Sequence, residues 1–366
     1  MRKYLAVLLG VLLILSFAVT AFADDKTEIT IGGKILERGW FFDNVTGVSG
    51  NGVSPVDGES AAFYSTNVNI TVDAKVADNI RGMVEFETAK DGNPNSGLFY
   101  WGDKARGYDA KPNADILIRQ AWIQYTGAGI GMPSGIKIGH MPISLGEKLF
   151  LNNERFGDDA ILVWIDPTKE FHLAAGAVKL NEGDVLSHTD DLDGYVLIGT
   201  YMLDKDNTLG ANFLWVHSDG FCPSSVTDTG EVDDNGNPII ITSPAPNIDK
   251  LNIYNIGVHA NGKIAGLTYA VELDKQFGKL NALDNAADLG IIVPTHDLKA
   301  KGWAAMGKIG YQLDPVNIRL AAAIGSGDDD AFDNDCKEFQ TLQGPDYGAT
   351  ARLVHYTQIY ERTVRT

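Results

Sequence analysis

The sequence is short of cysteine, of basic charge and of long apolar runs. Cys222 and Cys336 are the only cysteines among 366 residues, too few for a disulfide scaffold. Lys and Arg number 30 against 48 Asp and Glu, a formal charge of −18. Nucleic acid is thereby excluded as a partner, because phosphate binding needs a basic surface. A polytopic helical membrane protein is excluded too, since charged residues make up 21% of the chain and only Leu5 to Val19 approaches a helical span in length. The marks of catalysis are also missing. The seven histidines (140, 172, 188, 217, 259, 296 and 355) show no His-Glu-x-x-His spacing, and there is no G-x-S-x-G elbow or phosphate-cradling loop. Ser218 beside His217 is mere adjacency, so no catalytic residue is assigned and the chain is not read as an enzyme.

Leu5 to Val19 follows Arg2 and Lys3 and ends in Ala21-Phe22-Ala23. A basic start, an apolar stretch and a small-x-small ending form a secretory signal peptide over residues 1–23, which leaves residues 24–366 to act outside the cytoplasm.

Beyond residue 23 the chain has no sustained 3.6-residue period. Period-two alternation recurs instead in segments of about ten residues. Val68, Ile70, Val72, Ala74 and Val76 share one face of a strand, and Asn67, Asn69, Thr71, Asp73 and Lys75 share the other. Ile29, Ile31 and Ile35 oppose Glu28, Thr30 and Lys34; Leu267, Tyr269, Val271 and Leu273 oppose Thr268, Glu272 and Asp274; Val316, Ile318, Leu320, Ala322 and Ile324 oppose Asn317 and Arg319. On this basis about fourteen strands are expected, centred near residues 33, 69, 84, 120, 138, 163, 176, 198, 212, 256, 270, 306, 320 and 357.

Connection lengths carry more information than the count. Short turns are read at Ala77-Asp78-Asn79, Pro167 to Glu170, Asp204 to Asn207, Asn261-Gly262-Lys263 and Asp314-Pro315, with a Gly-rich turn at 126–135. Long polar loops are read at 43–60, 89–115, 140–160, 181–193, 219–250, 275–298 and 326–350. Alternation of short and long connections is the mark of an all-β, antiparallel transmembrane β-barrel with periplasmic turns and extracellular loops. Aromatics agree: Trp40, Phe41, Tyr64, Phe277 and Trp303 fall at long-loop ends, and Tyr125, Phe171, Tyr201 and Tyr311 at short-turn ends, as two bilayer interfaces require. In hydrocarbon every backbone N–H and C=O needs a partner and the outer face must be apolar, so the polar faces line water. A soluble β-sandwich uses the same alternation in the opposite sense, and alternation alone does not separate the two.

Three stretches carry a family resemblance: Ile118-Arg119-Gln120-Ala121-Trp122-Ile123-Gln124-Tyr125, Lys137-Ile138-Gly139-His140-Met141-Pro142-Ile143-Ser144-Leu145-Gly146, and Phe156-Gly157-Asp158-Asp159-Ala160. With Gly325-Ser326-Gly327-Asp328-Asp329-Asp330, Phe332 and Phe339, they make the chain resemble Gram-negative outer-membrane porins, specifically the alginate-export-like and related porin group. The resemblance spans most of residues 27–350 and implies an outer-membrane location, contact with outer-membrane lipid and lipopolysaccharide, and a homotrimer. Such families usually end on a strand with a terminal aromatic, whereas this chain ends Glu361-Arg362-Thr363-Val364-Arg365-Thr366. About sixteen to eighteen strands are the family's expectation, which suggests a chain truncated at its C-terminus.

The pore wall is expected to be built from the polar faces: Lys34, Arg38, Asn69, Asp73, Lys75, Arg81, Glu85, Glu87, Arg119, Glu272, Asp274, Lys308 and Arg319. Arg119 is the ambiguous member, because both faces of its strand carry polar residues. Opposed charges across a narrow aqueous lumen orient dipolar solutes and select ions by sign. Loop 140–160, the third long one, resembles the inward-folded third loop of porins; Glu147, Lys148, Asn153, Glu154, Arg155, Asp158 and Asp159 would then sit at the constriction. The alternative is a loop that projects outward. Asp328, Asp330 and Asp333 are weak candidates for loop-bound Ca²⁺ or Mg²⁺, lacking EF-hand spacing, and no other cofactor is expected. Cys222 and Cys336 both fall in long loops, on one side of the membrane, where a disulfide between them is expected. The functional expectation is a porin for passive diffusion of small hydrophilic solutes and ions. The alternatives are a channel selective for an anionic saccharide, as the alginate-export-like resemblance implies, with Arg38, Arg81, Arg119, Lys308 and Arg319 as a basic track, or a plugged structural or adhesive surface barrel.

Overall fold

The computed structural model describes residues 27–42, 61–89, 99–102, 114–129, 131–182, 191–219, 225–232, 238–243, 248–282, 297–329 and 333–342. Residues 1–23, Cys222, Asp330 and the strand expected near residue 357 lie outside them. Among the described residues all regular structure is β, carried by long antiparallel strands.

Two compact units divide the chain. The first contains β1 (Glu28–Phe42), β2 (Ala61–Ala77), β3 (Ile80–Ala89), the two-residue β4 (Phe99–Tyr100), β5 (Asp115–Gly129) and residues 135–142 of β6 (Met132–Ser144). Its strand order is β1-β2-β3-β5-β6, with β4 beside β2. The second unit contains β7 (Asn152–Ile165), β8 (Phe171–Asn181), β9 (Leu192–Met202), β10 (Thr208–Ser218), β11 (Ser225–Val232), β12 (Pro238–Ser243), β13 (Ile248–Ile264) and β14 (Leu267–Ala282). It goes on to β15 (Leu298–Ala300), β16 (Trp303–Leu313), β17 (Val316–Gly325) and β18 (Asp335–Cys336). Here the order is β7-β8-β9-β10-β13-β14, with β16 and then β17 continuing from Leu267–Lys275 of β14, and β15 pairing with Gly278–Leu280. β11 and β12 form a separate hairpin, and β15 runs parallel to β18.

Every strand centre expected between residues 33 and 320 falls inside a strand, and the additional short strands β4, β11, β12, β15 and β18 decorate the long connections. Several boundaries differ from expectation: β14 continues to Ala282, inside the loop expected at 275–298, and β5 reaches Gly129 and β6 starts at Met132, inside the turn expected at 126–135. Asn261-Gly262-Lys263 is not a turn: β13 runs through it, and the chain reverses at Ala265 (φ 50°) and Gly266 (φ 86°). Both residues take the positive φ that suits the right-handed twist of paired strands, and the Asn-Gly signal was a decoy. Loop 140–160 is far shorter than expected, because β6 continues to Ser144 and β7 begins at Asn152. The polar run Asn152–Asp159 lacks alternation, yet its backbone is extended. Close packing of β6 on β5 depends on Gly139, at φ 127°, whose missing side chain would strike the Ala121 carbonyl.

The sense of burial separates a membrane wall from a soluble sandwich. On β14, Glu272, Asp274 and Gln276 are 1%, 4% and 1% exposed, whereas Val271 and Leu273 on the opposite face are 46% and 57% exposed. A water-soluble sheet buries its aliphatic face and solvates its carboxylates. This strand does the reverse, and Ile29, Ile31, Ile70, Ile123, Ile161, Leu197, Ile256, Ile309 and Ile318 repeat the exposed apolar face on other strands. In the second unit the outward face is layered toward the long-loop end. Tyr195, Trp215, Tyr254 and Phe277 are direct cross-strand neighbours with ring centroids 5.1, 6.0 and 5.2 Å apart. Two residues nearer the loops lies a polar row, Lys179, Asp193, His217, Asn252 and Lys279, again in cross-strand register. Aliphatic, aromatic and charged layers in that order mark the edge of a bilayer.

Candidate functional site

In the first unit the polar face gathers around Glu85. Asn69 Nδ2 donates to Glu85 Oε1 at 3.0 Å, Arg119 Nη1 to the same oxygen at 2.7 Å, and Gln120 Nε2 to Glu85 Oε2 at 2.5 Å. Asn67 Nδ2 donates to Glu87 Oε1 at 3.0 Å, and Arg119 Nε lies 3.8 Å from Glu87 Oε2. Asn69, Glu85, Glu87 and Arg119, expected on the pore wall, are thus one network. The ambiguity of Arg119 has a structural cause: the β3–β5 register slips between Glu85, opposite Gln120, and Phe86, opposite Ile118. Arg119 is the extra residue of a bulge, so the apolar positions change phase from Ile116 and Ile118 to Ala121 and Ile123, and two consecutive residues serve the polar side.

Nearer the short turns Arg81 forms a two-oxygen contact with Asp73 (Nε to Oδ1 3.0 Å, to Oδ2 2.9 Å), and Lys75 pairs with Asp78. Beside them the Trp122 ring carries the Lys137 ammonium 3.9 Å from its centroid and the Arg81 guanidinium at 5.6 Å. Its Nε1 donates to Gln120 Oε1 at 3.2 Å. Trp122 and Lys137 were not assigned to the wall from the sequence. Their signal was the phase of β5 and β6 past the bulge, which places both opposite the apolar side.

In the second unit the short loop 145–151 lies on the polar face of β13, β14 and β16. The backbone N–H groups of Glu147 and Leu149 donate to Glu272 Oε2 at 2.8 and 3.2 Å. Glu147 Oε1 accepts from Asn261 Nδ2 at 2.9 Å, and Glu147 Oε2 faces Lys308 Nζ at 3.6 Å. Gly146, at φ 54°, fits this approach because a side chain there would enter the Glu272 carboxylate. Leu145, Phe150 and Leu151 are buried, and Phe150 meets Phe339 edge-on at 6.2 Å. Segment 333–342 joins the same face, with Gln276 and Gln340 exchanging hydrogen bonds of 2.6 and 2.9 Å and the Leu342 N–H donating to the Phe150 carbonyl at 3.0 Å.

Glu147 therefore meets Glu272 and Lys308, while the other residues expected in loop 140–160 disperse. Lys148 pairs with Glu154, which also accepts from Ser144 at 3.0 Å. Asn153, on β7, donates to the Gly157 carbonyl at 2.7 Å. Arg155 is on β7 as well. Asp158 is buried, and Asp159 is exposed on the Ile161 side of that strand, away from the polar face. Lys34 stands in register with Asn69, Arg38 with Ser65, and Arg319 donates to Asn317 at 3.2 Å on β17.

After β17 one ammonium gathers two acidic residues. Lys337 Nζ donates to Asp329 at 2.6 Å and to Asp333 at 3.3 Å, and Asp333 also accepts the Asp335 N–H at 2.7 Å. Lys337 holds Asp329 below the usual carboxylate range, and the Asp335 N–H does the same for Asp333. Of the three aspartates named as candidates for a loop-bound cation, Asp333 takes part in this pairing with Lys337, and Asp330 lies outside the described residues. Cys336 carries a thiol whose pKa burial raises, and its expected partner Cys222 lies outside the described residues.

No protein-family model and no curated protein matches the chain. Among solved structures it is similar to OccK8 (OprE) of Pseudomonas aeruginosa at 12% identity and TM-score 0.47, covering 91% of this chain and 75% of that one. The outer membrane channel DcaP of Acinetobacter baumannii is similar at 12% identity and TM-score 0.34, over 86% of this chain and 95% of that one. OmpT, an outer membrane protein of Vibrio cholerae in its trimer form, is similar at 10% identity and TM-score 0.39, over 87% and 96%.

Proposed function

We propose that this chain forms a porin-type channel of the Gram-negative outer membrane through which small hydrophilic solutes and ions diffuse. The observation that carries the reading is the inverted burial of β14, whose carboxylates face inward and whose aliphatic residues face out. Loop 145–151 supports it, because a segment tied to the polar face by Glu272, Asn261 and Lys308 narrows whatever passes along that face. The formal charge of −18 favours cations at the mouth.

A second reading, selectivity for an anionic saccharide, draws on one cluster. The Lys137 ammonium on the Trp122 ring, beside an Arg81 that Asp73 already engages, offers a cation for the carboxylate of such a sugar. Planar-bilayer currents of the refolded chain under a KCl gradient distinguish the two. A cation-signed reversal potential is the expected result; an anion-signed one moves the conclusion to the saccharide channel. Silence from folded, inserted protein overturns both in favour of a plugged surface barrel.

A further inference from the structure

Behind loop 145–151 lies a set of buried oxygen atoms with nothing to satisfy them. Asn212 of β10, Gly257 of β13 and Asp274 of β14 stand in one cross-strand row. With no side chain at Gly257, its neighbours lean together over it. A Cβ there would lie 2.6 Å from Asp274 Oδ1 and 2.7 Å from both amide atoms of Asn212. Asn255 Nδ2 donates to Asp274 Oδ1 at 2.6 Å, and Glu272 lies two residues from Asp274 on the same face. Asn212 and Asn255 are 3% and 0% exposed, as deeply buried as the two carboxylates. Yet Asn212 Oδ1 and Nδ2, Asn255 Oδ1, Asp274 Oδ2 and Glu272 Oε1 have no hydrogen-bond partner.

We propose that Asn212, Asn255, Glu272 and Asp274 form a binding site for a hard divalent cation, Ca²⁺ in particular. Four oxygens from two carboxylates and two amides match the ligand preference of that ion. Charge points the same way. Among the described residues no ion pair includes Glu272 or Asp274, and Lys308, the neighbouring ammonium, is directed at Glu147. Two buried carboxylates without a counter-charge call for a dication or for protonation. A proton shared between them leaves the oxygens of Asn212 and Asn255 unsatisfied, whereas a cation engages all four side chains. The set contains only two acidic residues, which is why no group of three His, Cys, Asp or Glu converges among the described residues. Because Glu272 also accepts the N–H groups of Glu147 and Leu149, the ion would brace the loop against the wall from behind.

The test uses the full chain, refolded in detergent, stripped with chelator and dialysed against CaCl₂, with bound calcium counted by elemental mass spectrometry. The folded protein is expected to retain one calcium per chain. Asp274→Asn and Asn212→Leu should each weaken retention roughly tenfold or more, while an Asp329→Asn, Asp333→Asn double variant binds as the parent does. Heat-modifiable gel mobility establishes which proteins are folded. Absence of stoichiometric calcium from the folded parent overturns the proposal even if a variant fails to assemble. So does loss of calcium in the double variant, or parental binding by both Asp274→Asn and Asn212→Leu. Calcium is counted without any current being measured, so this result stands apart from the channel reading.

Discussion

Glu85 is held by Asn69, Arg119 and Gln120 together, and Arg119 is its only guanidinium partner among the described ion pairs. Arg119→Ala should therefore leave a buried carboxylate without its guanidinium and hydrogen-bonded only to the two amides. Unfolding free energy is expected to fall by about 1–3 kcal/mol, read from urea midpoints, and the bilayer reversal potential should move further toward cations. Gly146→Val acts through shape: its side chain collides with the Glu272 carboxylate, so the loop must lift, and single-channel conductance should rise. At Lys337 the readout is pH. Asp329 and Asp333 have folded values below the ordinary carboxylate value of about 3.9, so the order they lend is complete above that value and lost as pH falls through the depressed one. Amide-exchange protection factors across residues 333–342 should stay flat at neutral pH and fall only below about pH 4.

The bulge in β5 makes an unusual deletion tolerable. Without Arg119 the sequence Ile116-Leu117-Ile118-Gln120-Ala121-Trp122-Ile123 alternates without interruption, so a chain lacking that residue should still give a heat-modifiable folded species. Removing Trp122 instead throws Ile123 to the polar side and should abolish it. The β13–β14 reversal offers the opposite test, since Ala265 occupies a positive φ that costs a residue with a Cβ about 1 kcal/mol. Ala265→Gly or Ala265→Asn should raise the urea midpoint of unfolding, and Gly266→Ala should lower it. These two elements also show why the sequence was only partly legible. Period two located every long strand up to residue 325, because alternation is a local property of the chain. The bulge, the decoy Asn-Gly pair and the extended polar run of β7 were hidden, because each is decided by the partner strand and not by its own residues.

For the molecule as a whole, alternation could not say which face was inside, and burial decides that. The polar face of β14 is legible in its alternation and Glu147 as a loop residue, but contact between them depends on residues more than a hundred positions apart, which no local pattern encodes. Trp122 and Lys137 were missed for the same reason, being brought together by pairing of β5 with β6. The aromatic row Tyr195, Trp215, Tyr254 and Phe277 has an optical consequence. Trp215 sits at one fixed depth, its Nε1 donating to Asn252 at 3.1 Å in the polar row beside it. Its emission is therefore a depth gauge. Brominated lipids labelled near the headgroup should quench it more strongly than those labelled at the chain terminus, and Trp215→Phe should remove that share of the quenching. The gradient of quenching would read out how high the protein rides in its bilayer.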